Sequence, residues 1–232
     1  MSPNELPRNV FPDIFPPREI RILGAGRFGR TAAERLKRRF PEALISVTDK
    51  DASRVEKIRA EVGINGEVGD SLGSITERAL PEDVWVIPAV PVHVGFEWTL
   101  RELDRTGTAR RLPVPRGADF LVPNPMRSPS GTLYASFATF ICPDYCSEPD
   151  EICTTTGKAR PGDLFEVFGG IALPDFGTAV LRSWQLSPGV GGYPVRSLDE
   201  LLAVIRAKPG KYLVATSCRC HGVMDALEWG RD

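Results

Sequence analysis

The sequence predicts an α/β chain built on a mostly parallel, doubly wound sheet, with a Cys-rich loop inserted in its second half. Three observations predict it. A short apolar run, Ile20-Arg21-Ile22-Leu23, feeds directly into Gly24-Ala25-Gly26-Arg27-Phe28-Gly29, and a helical pattern leaves that stretch. A second apolar run, Leu44 to Thr48, ends at Asp49. Further apolar runs then alternate with helical patterns, which implies parallel strands covered on both faces.

Each glycine of the first stretch answers a different need. Gly24 turns the chain sharply off the strand, Gly26 lets backbone approach a pyrophosphate, and Gly29 lets the helix pack closely on the sheet. Free N–H groups at the helix start, with the positive end of its dipole, can then hold phosphates. A glycine pattern of this kind between strand and helix marks a Rossmann-like dinucleotide site. Phe28, Ala32, Leu36 and Phe40 recur every fourth residue, as an amphipathic helix requires. The basic cluster Arg35 to Arg39 suits the last turn of that helix, where positive charge complements the dipole. Asp49 follows Gly29 by twenty positions. An acid there accepts hydrogen bonds from the adenosine ribose and repels a 2'-phosphate, so NAD(H) is expected rather than NADP(H). The plainer alternative is an ordinary glycine turn with Asp49 as a helix cap.

The runs Gly26-Arg27-Phe28-Gly29, Thr48-Asp49-Lys50-Asp51 with Arg54-Val55-Glu56, and Gly69-Asp70-Ser71 resemble the nucleotide-binding half of TrkA-N or RCK domains, over residues 19 to 90. The resemblance implies bound NAD(H) or a related nucleotide, and a role in regulating potassium transporters and channels. It also implies that Asp49 touches the adenosine ribose and that Asp70 lies near the adenine. Past residue 90 the chain departs from that pattern, with Pro-rich and Cys-rich segments and no recognisable regulatory ligand domain. The nucleotide site therefore transfers better than the transport role.

Later elements follow in order. A helix carries Val55, Ile58 and Val62; a short third strand lies near Glu67-Val68 and a fourth at Asp83 to Pro88. Parallel sheets bind ligands at the carboxyl ends of their strands. His93 falls just past the fourth strand and opens a helix with Phe96, Leu100 and Leu103. It is a candidate acid or base beside a nicotinamide, or else a residue that caps and packs the helix start. A fifth strand is expected at Ala118 to Val122, and strand composition continues from Leu133 to Ile141. Residues Ser147 to Gly162 read as a turn-rich loop. Ser187 to Gly192 read as a surface loop or a mobile flap. Ser197 and Glu200 form a capping box for a helix through Ile205, and Tyr212 to Thr216 make a last buried strand.

All five cysteines lie late: Cys142, Cys146, Cys153, Cys218 and Cys220, with His221 beside the last. Cys142 and Cys146 have the spacing of one arm of a thiolate metal site. Both groups follow strand-like runs, so the topology can bring them to one sheet edge. Four thiolates could hold an iron-sulfur cluster, and three or four, with or without His221, could hold zinc. Redox-active thiols and buried structural cysteines are the competing readings.

Composition bounds the rest. With 232 residues and 42% hydrophobic side chains, the chain can bury one substantial core, with or without an appended lobe. Three regions are expected: a Pro-rich arm over 1–18, a nucleotide-binding region over 19–125, and a Cys-containing second half over 126–232. Val10, Phe11, Ile14 and Phe15 can dock the arm on the body or on a second subunit, a route to a homodimer. A formal charge of −1 gives no reason to expect nucleic acid. No run spans a bilayer and no signal core opens the chain, so a cytoplasmic protein is expected. Three functions fit: an NAD(H)-linked oxidoreductase or electron-transfer protein with a thiolate metal centre and a small-molecule or redox partner; a nucleotide-sensing module with structural zinc; and a dehydrogenase using His93.

Overall fold

The computed structural model describes residues 15–77 and 79–230. The chain runs through β1 (Glu19–Leu23), α1 (Arg27–Arg39), β2 (Leu44–Asp49), α2 (Ala52–Val62), β3 (Asn65–Val68), α3 (Gly73–Thr76), β4 (Trp85–Pro88) and α4 (Val94–Asp104). It continues with β5 (Thr108–Leu112), a 3-10 turn (Arg116–Leu121), β6 (Met126–Arg127), β7 (Leu133–Ser136), α5 (Leu164–Gly169), β8 (Phe176–Arg182), β9 (Trp184–Ser187) and β10 (Val190–Pro194). α6 (Val195–Arg206), β11 (Gly210–Ser217) and β12 (His221–Gly230) complete it.

The fold is mixed α/β with two sheets rather than one mostly parallel sheet. In the first, ordered β3-β2-β1-β4-β10-β9, the four N-terminal strands are parallel, whereas β10 and β9 add antiparallel. The second is ordered β6-β7-β12-β11-β8, with β5 also on β12; only its β8–β11 pair is parallel. The sheets do not divide at residue 125, because β5 joins the second and the β9–β10 hairpin returns to the first.

Strand alternation builds the layers. Along β4, Trp85 and Ile87 pack with Ala32, Ala33 and Leu36 of α1, while Val86 faces Phe96 of α4 and Leu198 of α6. Along β11, Tyr212 and Val214 enter that same central cluster, and Leu213 and Ala215 turn away toward Leu164 and Phe168 of α5. Helices α4 and α6 are thus sandwiched between the sheets. Each of the five buried apolar side chains of α6, Val195, Leu198, Leu201, Leu202 and Ile205, contributes about 1.5–3 kcal/mol by burial.

Several local expectations change. The run Ala118 to Val122 is not a strand: between Pro115 and Pro123 the chain tightens into the 3-10 turn, which leaves Phe120 88% exposed and buries only Ala118 and Val122. The strand from Leu133 stops at Ser136, where the Ser136 hydroxyl takes the Ala138 amide. Ser187 to Gly192 form no flap; they belong to the β9–β10 hairpin, with Gly189 at φ +66° in its turn. Ser197 lies inside α6, so the capping box does not form, and the helix entry is held by Val195 and Arg196 amides on the Val84 and Glu82 carbonyls. Phe28 is exposed under the Arg27 guanidinium, and Gly29 takes the buried position. Phe15 packs edge-on against Phe40 and Trp85; Val10, Phe11 and Ile14 lie outside the described residues. Among those described, no helix is long and apolar enough to cross a membrane.

Candidate functional site

The glycine stretch lies at the carboxyl end of β1. Gly24 has φ +104°, and a Cβ there would sit 2.7 Å from the Ala89 carbonyl oxygen. Gly29 is tighter still: a Cβ would lie 1.8 Å from the Gly24 carbonyl oxygen. A Cβ on Gly26 would meet only an Arg54 guanidinium nitrogen, at 4.0 Å. Gly26 is also the N-cap of α1, with no side chain bonded to the first amides and no acid in the first turn. Asp49, at the end of β2, accepts hydrogen bonds from the Ala25 amide (2.6 Å) and the Asp51 amide (2.9 Å), bracing the loop. Asp70 caps α3 through the Gly73 amide (2.8 Å) and pairs with Lys50 (3.2 Å); these hold its carboxyl below the usual range.

His93 is the N-cap of α4, past the carboxyl end of β4, but its ring turns toward the second sheet. Nδ1 meets the Asp225 carboxylate at 2.9 Å, Nε2 meets the Thr216 hydroxyl at 2.8 Å, and the ring stacks on Phe96. Asp225 is 4% exposed, and its other oxygen accepts from Thr132 (2.8 Å) and Arg111 (3.2 Å). Burial works to raise the Asp225 pKa, but hydrogen bonds from His93 and Thr132 and the charge of Arg111 outweigh it and hold the carboxyl below its ordinary value.

Residues 137–163, which carry Cys142, Cys146 and Cys153, have an isolated bridge between Ile152 and Ala159 and no helix or strand. Cys142 and Cys146 from this loop, and Cys218, Cys220 and His221 from the β11–β12 turn, line one cavity of about 500 Å³. Cys153 stands beside it, near enough to Cys142 for a thiolate charge there to raise that thiol. All five are free thiols. Cys218 Sγ accepts the Cys220 and His221 amides, and Cys146 Sγ the Glu148 amide, each at 3.4 Å. Among the described residues, no three His, Cys, Asp or Glu side chains are close enough to hold a metal ion together. The thiols share a cavity without closing on one point.

Burial, reinforced by the Glu148 charge, pushes the Cys218 thiol far up, and burial also raises Cys142 and Cys220. Burial and Arg160 push His221 down. Cys153 goes the other way, lowered by hydrogen bonds at Thr156. Behind Cys220 lies Arg160, its side chain 5% exposed; Nη2 stands 3.8 Å from the Asp163 carboxylate, and neither Nε nor Nη2 has a hydrogen-bond partner. Arg219 pairs with Asp150 (3.0 Å), and its amide donates to Glu148 (2.6 Å).

The loop docks on α1. Arg27 of the glycine motif pairs with Asp144, which lies between Cys142 and Cys146, at 2.8 Å. Arg35 reaches the carbonyls of Asp144 (2.5 Å) and Pro188 (2.6 Å). The Gly189 amide donates to the Cys146 carbonyl at 2.9 Å, and the Gln185 amide group reaches the same oxygen. The glycine motif and the first cysteine pair are therefore neighbours.

Residues 95–230 match a family described as "Uncharacterized protein, C-terminal domain". The chain is also 30% identical over 226 residues to an "Uncharacterized protein" of Archaeoglobus fulgidus, covering 89% of this chain and 98% of that relative. The chain belongs to this family. No solved structure matches it. The family span holds all five cysteines, Thr216 and Asp225, and leaves out the glycine stretch and His93.

Sequence reasoning about this family member missed Thr216, Asp225, Arg160 and Arg219. One signal was available: Asp225 is a lone acid inside Val223-Met224-Asp225-Ala226-Leu227, where a buried charge needs partners. Arg219 sits between two cysteines, but nothing in its spacing announces burial.

Proposed function

We propose that this protein binds NAD(H) at the glycine stretch and is redox-linked, through an iron-sulfur cluster or zinc ion held by Cys142, Cys146, Cys218 and Cys220, with His221 as a further ligand. The pairing of Arg27 with Asp144 carries the reading, since it brings the first cysteine pair beside the glycine stretch. The parallel order β3-β2-β1-β4 matches the first half of a doubly wound fold and the strand across its switch point, which favours the Rossmann-like and TrkA-N-like expectation. Uncapped amides at the start of α1 suit a pyrophosphate, and Gly26 leaves it room.

The donor set fits a soft metal centre. Thiolates suit iron-sulfur clusters and zinc, amides directed at sulfur stabilise their negative charge, and Arg160 supplies a buried cation beside Cys220. The side chains must close inward for one centre to take them all. When bound, a cluster would pass electrons one at a time, whereas zinc would hold the loops together. The raised thiols of Cys142, Cys218 and Cys220 must release protons on binding.

Anaerobic purification with metal and acid-labile sulfide analysis, followed by NAD and NADH calorimetry, tests this. Iron, sulfide and a visible absorbance that NADH bleaches are the expected result. Stoichiometric zinc with nucleotide binding and no turnover would favour the sensing module. Metal-free protein that binds neither nucleotide would overturn the proposal.

A further inference from the structure

The chain Asp225, His93, Thr216 has the spacing of an orienting acid, base and nucleophile, and Thr216 lines the cysteine-bearing cavity. Both contacts of the His93 ring fall within 2.6–3.2 Å, the reach that such a triad requires (2.9 and 2.8 Å). The proton positions follow from the partners. The Asp225 carboxylate accepts only, so the tautomer that serves as a base carries its proton on Nδ1. Nε2 then offers its lone pair, and the Thr216 hydroxyl donates to it. The oxygen lone pairs of Thr216 are left for whatever enters the cavity, whose wall Thr216 shares with Tyr134, Val190 and Val223.

The surroundings are arranged for this hydroxyl. Thr132 and Arg111 fix the second oxygen of Asp225, so the carboxylate cannot rotate away from the ring. Gly95 lets the start of α4 close on the hydroxyl, since a Cβ there would stand 2.9 Å from Thr216 Oγ1.

We propose that Thr216 is a nucleophile, activated by His93 and Asp225, that accepts the acyl group of a small ester or thioester bound in the cavity. Thr216 Oγ1 forms a bond to the carbonyl carbon as its proton passes to His93 Nε2. The carbonyl carbon becomes tetrahedral and its oxygen takes the negative charge. Collapse breaks the bond to the alcohol or thiol, which leaves with the proton from Nε2. Water then attacks the acyl-threonine, gives a proton to Nε2, and the hydroxyl is restored as the acid departs. The substrate shares the cavity with the proposed metal ligands, but the triad uses none of those thiols and no part of the glycine stretch, so labelling of Thr216 is read separately from metal and nucleotide binding.

A fluorophosphonate probe tests the proposal on the full chain, because it reports an activated hydroxyl and spares ordinary thiols. Attack by Thr216 forms an O–P bond, expels fluoride and leaves the hydroxyl proton on His93. Peptide mapping should find the adduct on Thr216. Thr216→Val should abolish it, Thr216→Ser should retain it, and His93→Gln should slow it by about 100-fold or more. Circular dichroism and urea midpoints establish that each variant is folded; Thr216→Val keeps the side-chain shape, so the test survives if His93→Gln does not fold. Hydrolysis of p-nitrophenyl butyrate should follow the same order. Folded wild-type protein without an adduct on Thr216, or an unchanged labelling rate in Thr216→Val or folded His93→Gln, would overturn the proposal.

Discussion

Replacing Asp225 tests whether the buried network between α4 and the second sheet is a fixed charge-assisted assembly. Its carboxylate is 4% exposed and takes three donors, from His93, Thr132 and Arg111. In Asp225→Asn, one carbonyl oxygen can still serve Thr132 and Arg111, but the amide must face His93, which reverses the ring tautomer. Hydrogen bonds to a charged group contribute about 1.5–3 kcal/mol and neutral ones about 0.5–1.5, so Asn should cost about 1–2 kcal/mol. Asp225→Ala strips every donor of its acceptor and should cost about 3–5 kcal/mol. Urea unfolding at pH 7 reads both as shifts in midpoint at constant slope. The pH dependence has a fixed sign. A carboxyl held lower in the folded state contributes fully above the unfolded value of about 3.9, and that contribution is lost as pH falls through the lower folded value. The gap between wild type and Asn should therefore narrow only below about pH 4. An Ala variant within about 0.5 kcal/mol of wild type, inside the range of an ordinary surface substitution, would refute the reasoning.

Other substitutions separate folding from binding. Gly26→Ala has open space, so its melting temperature should hold while NADH affinity, read by calorimetry, falls at least about tenfold, or 1.4 kcal/mol; unchanged affinity would remove the pyrophosphate from that loop. Gly29→Ala forces a Cβ onto the Gly24 carbonyl and should lose about 1–3 kcal/mol of stability, measured in urea. Cys218→Ser should empty the metal centre in elemental analysis while leaving the NADH dissociation constant within about twofold, a free-energy change near 0.4 kcal/mol. Arg35→Ala loses both carbonyl contacts to the Cys loop and hairpin, so limited proteolysis between residues 142 and 160 should accelerate.

The N-terminal half was legible because its physics is local. Apolar runs, glycines and an acid at the right spacing name β1, α1, β2 and Asp49, and the structure sets each in that order. The second half was not, for reasons visible in particular residues. β5 reads Thr-Ala-Arg-Arg-Leu, a half-exposed edge strand whose arginines pair with Glu228 and Asp225 across β12, and such partners are distant in sequence. Ala118 to Val122 has strand composition but is fenced by prolines that force a turn. β10 is rich in glycine because Gly192 lies against Ile87 and the Val86 carbonyl, and close backbone approach looks like a loop in one dimension. The convergence of the cysteine groups was legible as topology; the buried arginines around them were not, since an arginine reads as surface until its partners are known.

What joins the two halves is α4. It leaves β4 of the first sheet, and its second residue, Gly95, closes on Leu181 of β8 and Thr216 of β11 in the second. The carboxyl ends of β4, β8 and β11 therefore meet at one helix start, and the cysteine cavity lies at the same end, lined by Ser183 just past β8 and Ser217 of β11. Parallel strands present their ligand-binding ends together when their crossovers run the same way. The second sheet gives the cavity the ends of β8 and β11, and the first gives it the β9–β10 hairpin. Polar groups from distant segments, a thiol pair on each of two loops and Thr216 at the end of β11 against His93, follow from that arrangement, because strand ends and the loops past them can carry polar groups without disturbing either core.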